Sequence, residues 1–289
     1  MSLRRALSSP RGCHGFDPVS GKLIVFGGFD GNTFLSDTWA FDGQTWTKVP
    51  VAHPPRGRTV AGMAYDAATK KIVLFGGFMG TVVLGDTWLW DGATMTWTQA
   101  HPAHSPGAAT GPAVFADPNG SVDEFGGWDP ARNPHLYYSD MWQWNGSDWV
   151  QLHPATLPYG RAFATVGVNE ITKQVVIFGG LGDIDTRNTW TYDGVTWTQQ
   201  PNRGQPPSVY TATAMFSQAF QGVVQFGGQN NGIDQRTSWL WTGYAWKRLP
   251  LTERPLARWG AASAYDPILG HASSLEASTT GPLSTTLGS

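Results

Sequence analysis

Residues that could hold a metal ion lie close together near the middle of the chain. Glu124, Asp129 and His135 fall within one short stretch. Carboxylate and imidazole groups are common protein ligands of zinc and iron. These three residues are the metal-ligating candidates of the sequence, although we favour no metal and predict no cofactor.

Four further histidines, three of them followed by proline, recur at similar places: His53, His101, His104 and His153. A ring of imidazoles could hold zinc, copper or iron, but the spacing matches no known ligand pattern. A repeated His-Pro turn is the simpler interpretation.

Three arginines, Arg58, Arg161 and Arg258, occupy the same place in alternate copies of a repeat described below. The guanidinium fork can bind a carboxylate with two parallel hydrogen bonds. Each arginine could therefore bind an acidic ligand. The alternative is that it bonds carbonyl groups of a neighbouring repeat and holds the repeats together.

Aromatic residues outside the repeat landmarks form another kind of candidate site. Trp128, Tyr137 and Tyr138 belong to the longest connecting segment, where they could stack on sugar rings, anchor a peptide or cover a sheet edge. No phosphate-binding glycine loop, HExxH or GxSxG motif is present.

A repeat of about fifty residues must position these candidates. Its first landmark is a double glycine at 27–28, 76–77, 126–127, 179–180 and 227–228. The second is a tryptophan within an aromatic strand: Trp39, Trp88, Trp142, Trp190 and Trp239. The third is a closing tryptophan: Trp46, Trp97, Trp149, Trp197 and Trp246.

The local pattern of each repeat predicts strands and tight turns. An apolar run such as Ile72–Phe75 ends at the double glycine, which indicates a buried strand that another backbone approaches closely. Asp91-Gly92 separates the aromatic strand from the closing tryptophan, and Asp-Gly at such a place is a strong hairpin signal.

This order of landmarks resembles the kelch repeat over roughly residues 9 to 266. The resemblance implies an all-β propeller of four-stranded blades, with six blades favoured, the last one irregular, and five as the alternative. Residues 1–289 then form one domain. Its repeats are about 9–50, 51–100, 101–150, 151–200 and 201–250, with a partial or degenerate sixth at 251–289.

The resemblance also implies where a ligand binds. In kelch propellers the loops between second and third strands open on one rim, beside the segments that lead into the first strands. Binding residues usually lie on such loops. The ligand contacts expected there are Arg58, Arg161, Arg258, Trp128, Asp129 and Tyr137.

Two kinds of kelch enzyme offer comparisons with the metal candidates. Some kelch proteins that redirect glucosinolate breakdown hold iron with Glu, Asp and His, but their spacing differs from that of Glu124, Asp129 and His135. Galactose oxidase needs a thioether between cysteine and tyrosine. Cys13 is the only cysteine, and packing as a small hydrophobic residue is its simpler role.

The third repeat carries an acidic pair, Asp123 and Glu124, where other repeats are apolar. We expect these side chains to border a solvated central channel, with a ligand role as the alternative.

Composition and charge limit the classes of molecule that the protein is expected to bind. With a net charge of −2 and scattered Lys and Arg, the chain lacks the basic face of a nucleic-acid binder. No segment has transmembrane length, and the first ten residues lack the apolar segment of a signal peptide. Resemblance to bacterial extracellular kelch proteins nevertheless suggests an extracellular or cell-surface location, and we expect a monomer.

Function follows from the resemblance rather than from a catalytic motif. The favoured hypothesis is a binding module that presents its loop rim to a protein or carbohydrate. One alternative is an enzyme, a metal-assisted lyase or oxidoreductase, that uses the same rim. The other is a structural repeat fragment of a larger surface protein.

Overall fold

The computed structural model describes residues 12–132 and 137–250, together with the backbone of two strands at 263–266 and 271–274. These residues form an all-β protein whose main elements are five antiparallel four-stranded sheets. No helix in this part of the chain is long and apolar enough to cross a membrane.

Each sheet is one blade. Blade 1 contains β1 (Cys13–Asp17), β2 (Lys22–Phe26), β3 (Thr38–Phe41) and β4 (Trp46–Val49). Blade 2 contains β5 (Gly62–Asp66), β6 (Lys71–Phe75), β9 (Thr87–Asp91) and β10 (Thr96–Ala100), with β7 (Phe78–Met79) and β8 (Val82–Val83) in its loop. Blade 3 contains β11 (Ala113–Ala116), β12 (Val122–Phe125), β13 (Met141–Trp144) and β14 (Trp149–Leu152).

The remaining strands follow the same order. Blade 4 contains β15 (Thr165–Asn169), β16 (Gln174–Phe178), β17 (Thr189–Tyr192) and β18 (Trp197–Gln199). Blade 5 contains β19 (Thr213–Ser217), β20 (Gly222–Phe226), β23 (Ser238–Trp241) and β24 (Trp246–Leu249), with β21 (Gln229–Asn230) and β22 (Ile233–Asp234) in its loop. A last hairpin pairs β25 (Ser263–Asp266) with β26 (His271–Ser274).

The first strands of the blades surround the axis of a propeller. They contact one another in the order β1, β5, β11, β15, β19 and β25, and β25 contacts β1 again. A cavity of about 300 Å³ lies between them, lined by side chains that include Tyr65, Val114, Val166 and Met215. The chain is therefore organised around a narrow and largely apolar channel.

The number of blades differs from the favoured prediction. The structure contains five four-stranded blades, which was the alternative, and a sixth four-stranded blade is not found among the described residues. The hairpin β25–β26 stands between β19 and β1 instead. Most of the predicted sixth repeat lies outside the described residues.

The first strands of blades 1 to 4 lead into side-chain turns built on an aspartate or an asparagine. The carboxylate of Asp17 accepts hydrogen bonds from the Val19 backbone (3.1 Å) and the Ser20 hydroxyl (2.5 Å). Asp66, Asp117 and Asn169 make equivalent turns. Such Asx turns satisfy backbone donors where the chain reverses, so they fix the hairpin between first and second strands.

The closing tryptophans join neighbouring blades. Trp149 of blade 3 is 1% exposed, and its ring lies 5.4 Å from that of Phe75 in blade 2. Its indole N–H donates to the Thr87 hydroxyl across the same interface, at 2.9 Å. Trp97, Trp197 and Trp246 are buried against the preceding blade in the same way.

The double glycines provide a second connection between blades. A Cβ atom on Gly27 would lie only 2.4 Å from the carbonyl oxygen of Arg58 in the next blade. The N–H of Gly28 donates to that same oxygen at 2.8 Å. Both glycines also have positive φ angles, 76° and 108°, which favour glycine. The predicted close approach of another backbone is therefore confirmed.

Trp46 differs from the other closing tryptophans in its contacts with the described residues. Its ring stacks on Phe41 of its own blade at 4.7 Å. It is only half-buried, and within the part of the chain that the structure describes its indole nitrogen has no hydrogen-bond partner.

We expect Trp149→Ala to lower the free energy of unfolding by about 3–5 kcal/mol, because it removes a fully buried ring between two blades. Trp46→Ala is the matched control and should cost clearly less. Urea denaturation followed by circular dichroism measures both. Equal losses would show that blade 1 depends on its closing tryptophan as strongly as blade 3 does.

Candidate functional site

The candidate site is the edge of the propeller formed by the loops between second and third strands and the segments that lead into the first strands. We call this edge the upper rim. In blades 2 to 5 the residue after the double glycine pairs with the lead-in segment, as Phe78 does with Thr59 through hydrogen bonds of 2.9 and 3.0 Å. The base of each loop is therefore fixed by backbone bonds.

Arg58 lies beneath this rim with its side chain fully buried. Its guanidinium donates to both carboxylate oxygens of Asp86, at 2.6 and 2.8 Å, and to the carbonyl oxygen of Gly76 at 2.9 Å. Burial by itself raises the pKa of Asp86, but the hydrogen bonds and charge of Arg58, with a bond from Trp88, hold it below its ordinary value. Arg58 thus joins the second and third strands of its own blade.

Arg161 has the same role in blade 4. It is 1% exposed and donates to the Gly179 carbonyl at 3.2 Å and to the Asn188 side chain at 2.8 Å. Because its partner is neutral, burial lowers the pKa of Arg161 to about 10. Arg258, the third predicted contact, lies outside the described residues.

Trp128 and Tyr137 are brought together at the base of the blade 3 loop. They pair through an isolated β-bridge, and their rings stack with centroids 5.6 Å apart. Both are half-buried. Burial and the charge of Asp183, in the next loop, raise the pKa of Tyr137. Asp129 is 7% exposed and accepts the Ala131 backbone N–H at 2.9 Å, so it shapes the loop.

The equivalent positions of blades 1 and 2 also carry aromatic residues, which the sequence prediction missed. Phe29 and Phe34 lie 4.7 Å apart, and Phe78 meets Phe34 edge-on at 6.2 Å. All three are half-buried. Their signal in the sequence was the place directly after each double glycine, where Phe29, Phe78 and Trp128 stand.

A chain of backbone hydrogen bonds borders the channel at this rim. Val60, Gly111, Phe163 and Thr211 all have φ between 52° and 62°. Each of the last three donates its backbone N–H to the carbonyl oxygen of the one before it, at 2.8–3.0 Å. The three bonds run from Gly111 to Val60, from Phe163 to Gly111 and from Thr211 to Phe163. Left-handed backbone is costly for a non-glycine residue, so these interblade bonds must outweigh the strain. No sequence pattern indicated them.

The proposed metal ligands are not gathered into one group. Within the residues that the structure describes, no three His, Cys, Asp or Glu side chains are placed to share a metal ion. His135 lies outside those residues. Of the loop histidines, His104 pairs with Asp148 at 2.8 Å while remaining 73% exposed.

The acidic pair of blade 3 is not at the channel, contrary to our expectation, because β12 is the second strand from the axis. Asp123 is 0% exposed and accepts a hydrogen bond from Gln143 at 3.0 Å. Burial raises the pKa of Asp123 to about 7. Glu124 points to the other side of the sheet, where its neighbour Val122 packs with Val73 and Phe75 of blade 2. Burial and the charge of Asp140 raise the pKa of Glu124 well above its ordinary range.

Cys13 is buried in the apolar cluster between blades 1 and 2, with Ile24, Phe26 and Met63. Burial raises the pKa of its thiol to about 11. It therefore packs as a small apolar residue, which was the simpler of the two predicted roles.

Comparison with known proteins agrees with this geometry. The model of the KLHDC2/KLHL20/DRC7 Kelch-repeats domain matches residues 2–180. The chain belongs to the kelch-repeat family. Among solved structures, "Structure of YjhT" superposes with a TM-score of 0.73 at 16% identity, covering 92% of this chain and 89% of that chain. At this identity the similarity shows the fold alone. Among curated proteins, none matches the sequence.

The kelch landmarks now have physical roles in this propeller. The closing tryptophan joins a blade to the one before it, and the double glycine joins a blade to the one after it. The arginine beneath the rim joins strands within its blade. The loops above carry the variable side chains.

Arg58→Ala should lower the free energy of unfolding by about 3–5 kcal/mol, because it leaves a partly buried carboxylate and a carbonyl oxygen without their partner. Arg187, whose ion pair with Asp185 is exposed (side chains 63% and 58%), is the control. Arg187→Ala should cost less than about 1 kcal/mol. Thermal and urea unfolding measure both. A stable Arg58→Ala protein would reopen a ligand role for this side chain.

We expect Cys13 to resist thiol reagents in the folded protein, because the reactive thiolate is both buried and scarce at mildly alkaline pH. Dithionitrobenzoate should label one thiol per chain only after guanidinium chloride is added. Rapid labelling of the native protein would contradict the burial of this side chain.

Proposed function

We propose that this kelch propeller is a binding module that presents its upper rim to a polypeptide partner. The observation that carries the proposal is the exposure of aliphatic side chains at three loop tips of this rim. Val82 of blade 2 is 43% exposed, Ile184 of blade 4 is 49% exposed, and Ile233 of blade 5 is 67% exposed. Exposed apolar groups on one edge of a protein can serve as a protein interaction site.

Half-buried aromatic side chains add to the apolar character of the rim. Phe34 and Phe78 lie at the loops of blades 1 and 2, and the Trp128–Tyr137 pair lies at that of blade 3. Aromatic residues supply much of the binding energy at protein interfaces. Since backbone bridges and buried arginines hold the loop bases, little ordering entropy would be lost on binding.

Carbohydrate is the second candidate ligand, and the Trp128–Tyr137 pair favours it. Aromatic faces can stack on sugar rings, yet these two rings already stack on each other, so one face of each is covered. The aliphatic loop tips have no comparable use in sugar binding. They are the reason that we place polypeptide first.

The test is selection of displayed random peptides on the immobilised protein, followed by affinity measurements with the selected peptides. Replacing Val82, Ile184 and Ile233 together by Asp should weaken peptide binding at least ~10-fold, because it puts charge into the apolar contact. The melting temperature should hardly change, since all three side chains are already exposed.

The matched control is Val195→Asp on the opposite edge, where the side chain is 74% exposed. Peptide affinity should be unchanged in this variant. Equal loss in both variants would place the contact elsewhere. Ligands found only on a glycan array, and lost in Trp128→Ala, would favour the carbohydrate alternative.

A further inference from the structure

Blade 3 lacks the cation that blade 2 carries at its upper end. In blade 2 the guanidinium of Arg58 contacts the Gly76 carbonyl and the Asp86 carboxylate. The residue at the same repeat position in blade 3 is Ala109, which is fully buried and has no charge to offer.

The acceptors of that cation are nevertheless present in blade 3. Gly126 is the first glycine of its pair, as Gly76 is in blade 2. Asp140 stands where Asp86 does, and the indole N–H of Trp142 donates to it at 2.7 Å, just as Trp88 donates to Asp86 at 2.6 Å. Within the described chain, no arginine or lysine forms an ion pair with Asp140.

Blade 3 also adds a second acid at this place. Glu124 precedes Gly126 by two residues, where blade 2 has Leu74. It stands directly opposite Trp142 in the strand ladder, so both side chains lie on the same face of the sheet. Glu124 is 1% exposed, and its buried Oε1 atom has no hydrogen-bond partner among the described residues.

The chemistry of this group is that of a cation site. Two carboxylates and a backbone carbonyl provide only oxygen ligands, which hard cations prefer and which Ca²⁺ accepts in flexible geometry. In blade 2 one guanidinium balances one carboxylate. Two carboxylates in blade 3 need two positive charges, which favours a divalent ion over a monovalent one. A buried carboxylate without such a partner is costly.

We propose that the junction between blades 2 and 3 binds Ca²⁺ through the carboxylates of Glu124 and Asp140 and the carbonyl oxygen of Gly126. The ion takes the place that the guanidinium of Arg58 holds in the preceding blade. Water molecules complete its coordination. The site stabilises the blade 3 loop from below and is independent of the ligand that the upper rim binds.

The experiment compares chelator-treated wild type with two variants, at constant ionic strength set with sodium chloride. Calcium should raise the melting temperature of the wild type in a saturable way, and calorimetry should give one ion per chain. Glu124→Leu installs the residue of blade 2 and should abolish the calcium response. Ala109→Arg supplies an internal cation and should abolish it too, while keeping the stability of the calcium-loaded protein.

Asp185→Asn is the control, because this exposed acid already pairs with Arg187; its calcium response should equal that of the wild type. A wild type without a saturable response would overturn the proposal and imply that Glu124 keeps its proton. A response that persists in both Glu124→Leu and Ala109→Arg would overturn it as well, since the ion would then bind elsewhere.

Discussion

The contact on which this propeller depends is the one between a double glycine and the backbone of the next blade. The first glycine lets the lead-in segment come so close that any side chain would collide with a carbonyl oxygen. The second glycine donates its N–H to that same oxygen. Where that oxygen belongs to Arg58 or Arg161, the side chain of the same residue also joins two strands of the next blade. The closing tryptophans make the second joint, farther from the axis.

Because of these contacts, the stability of the propeller and the binding of a partner depend on different parts of the molecule. Closing tryptophans and double glycines hold the blades together, and the buried arginines Arg58 and Arg161 hold strands together within their blades. The loops above them are tied only at their bases, so their tips can vary without cost to the core. A scaffold of this kind suits recognition of a partner by several loops at once. It explains why the exposed aliphatic tips, rather than the arginines, are the proposed contacts.

Blade 3 differs from its neighbours at positions that make contacts within a blade or between blades. Ala109 replaces the clamp, Glu124 replaces an apolar strand residue, and Met141 stands where blades 1, 2 and 4 have the threonine that accepts an indole N–H. The sulfur of Met141 still accepts from Trp197 at 3.2 Å. Relative to blade 2, Ala109 removes a positive charge and Glu124 adds a negative one at the same place. This imbalance of charge is the basis for inferring an ion there.

The sequence by itself determined the fold class, the strands and their turns, since a repeated pattern of apolar runs, Asp-Gly turns and double glycines allows few other structures. It also indicated the close backbone approach at the glycines. Only the tertiary structure decided where the side chains point. A repeat position cannot tell whether Arg58 faces a ligand or the carboxylate of Asp86, because that depends on a partner from another strand. Likewise, the blade count and the meeting of Trp128 with Tyr137 depend on ring closure and loop pairing, which are non-local contacts that no local pattern encodes.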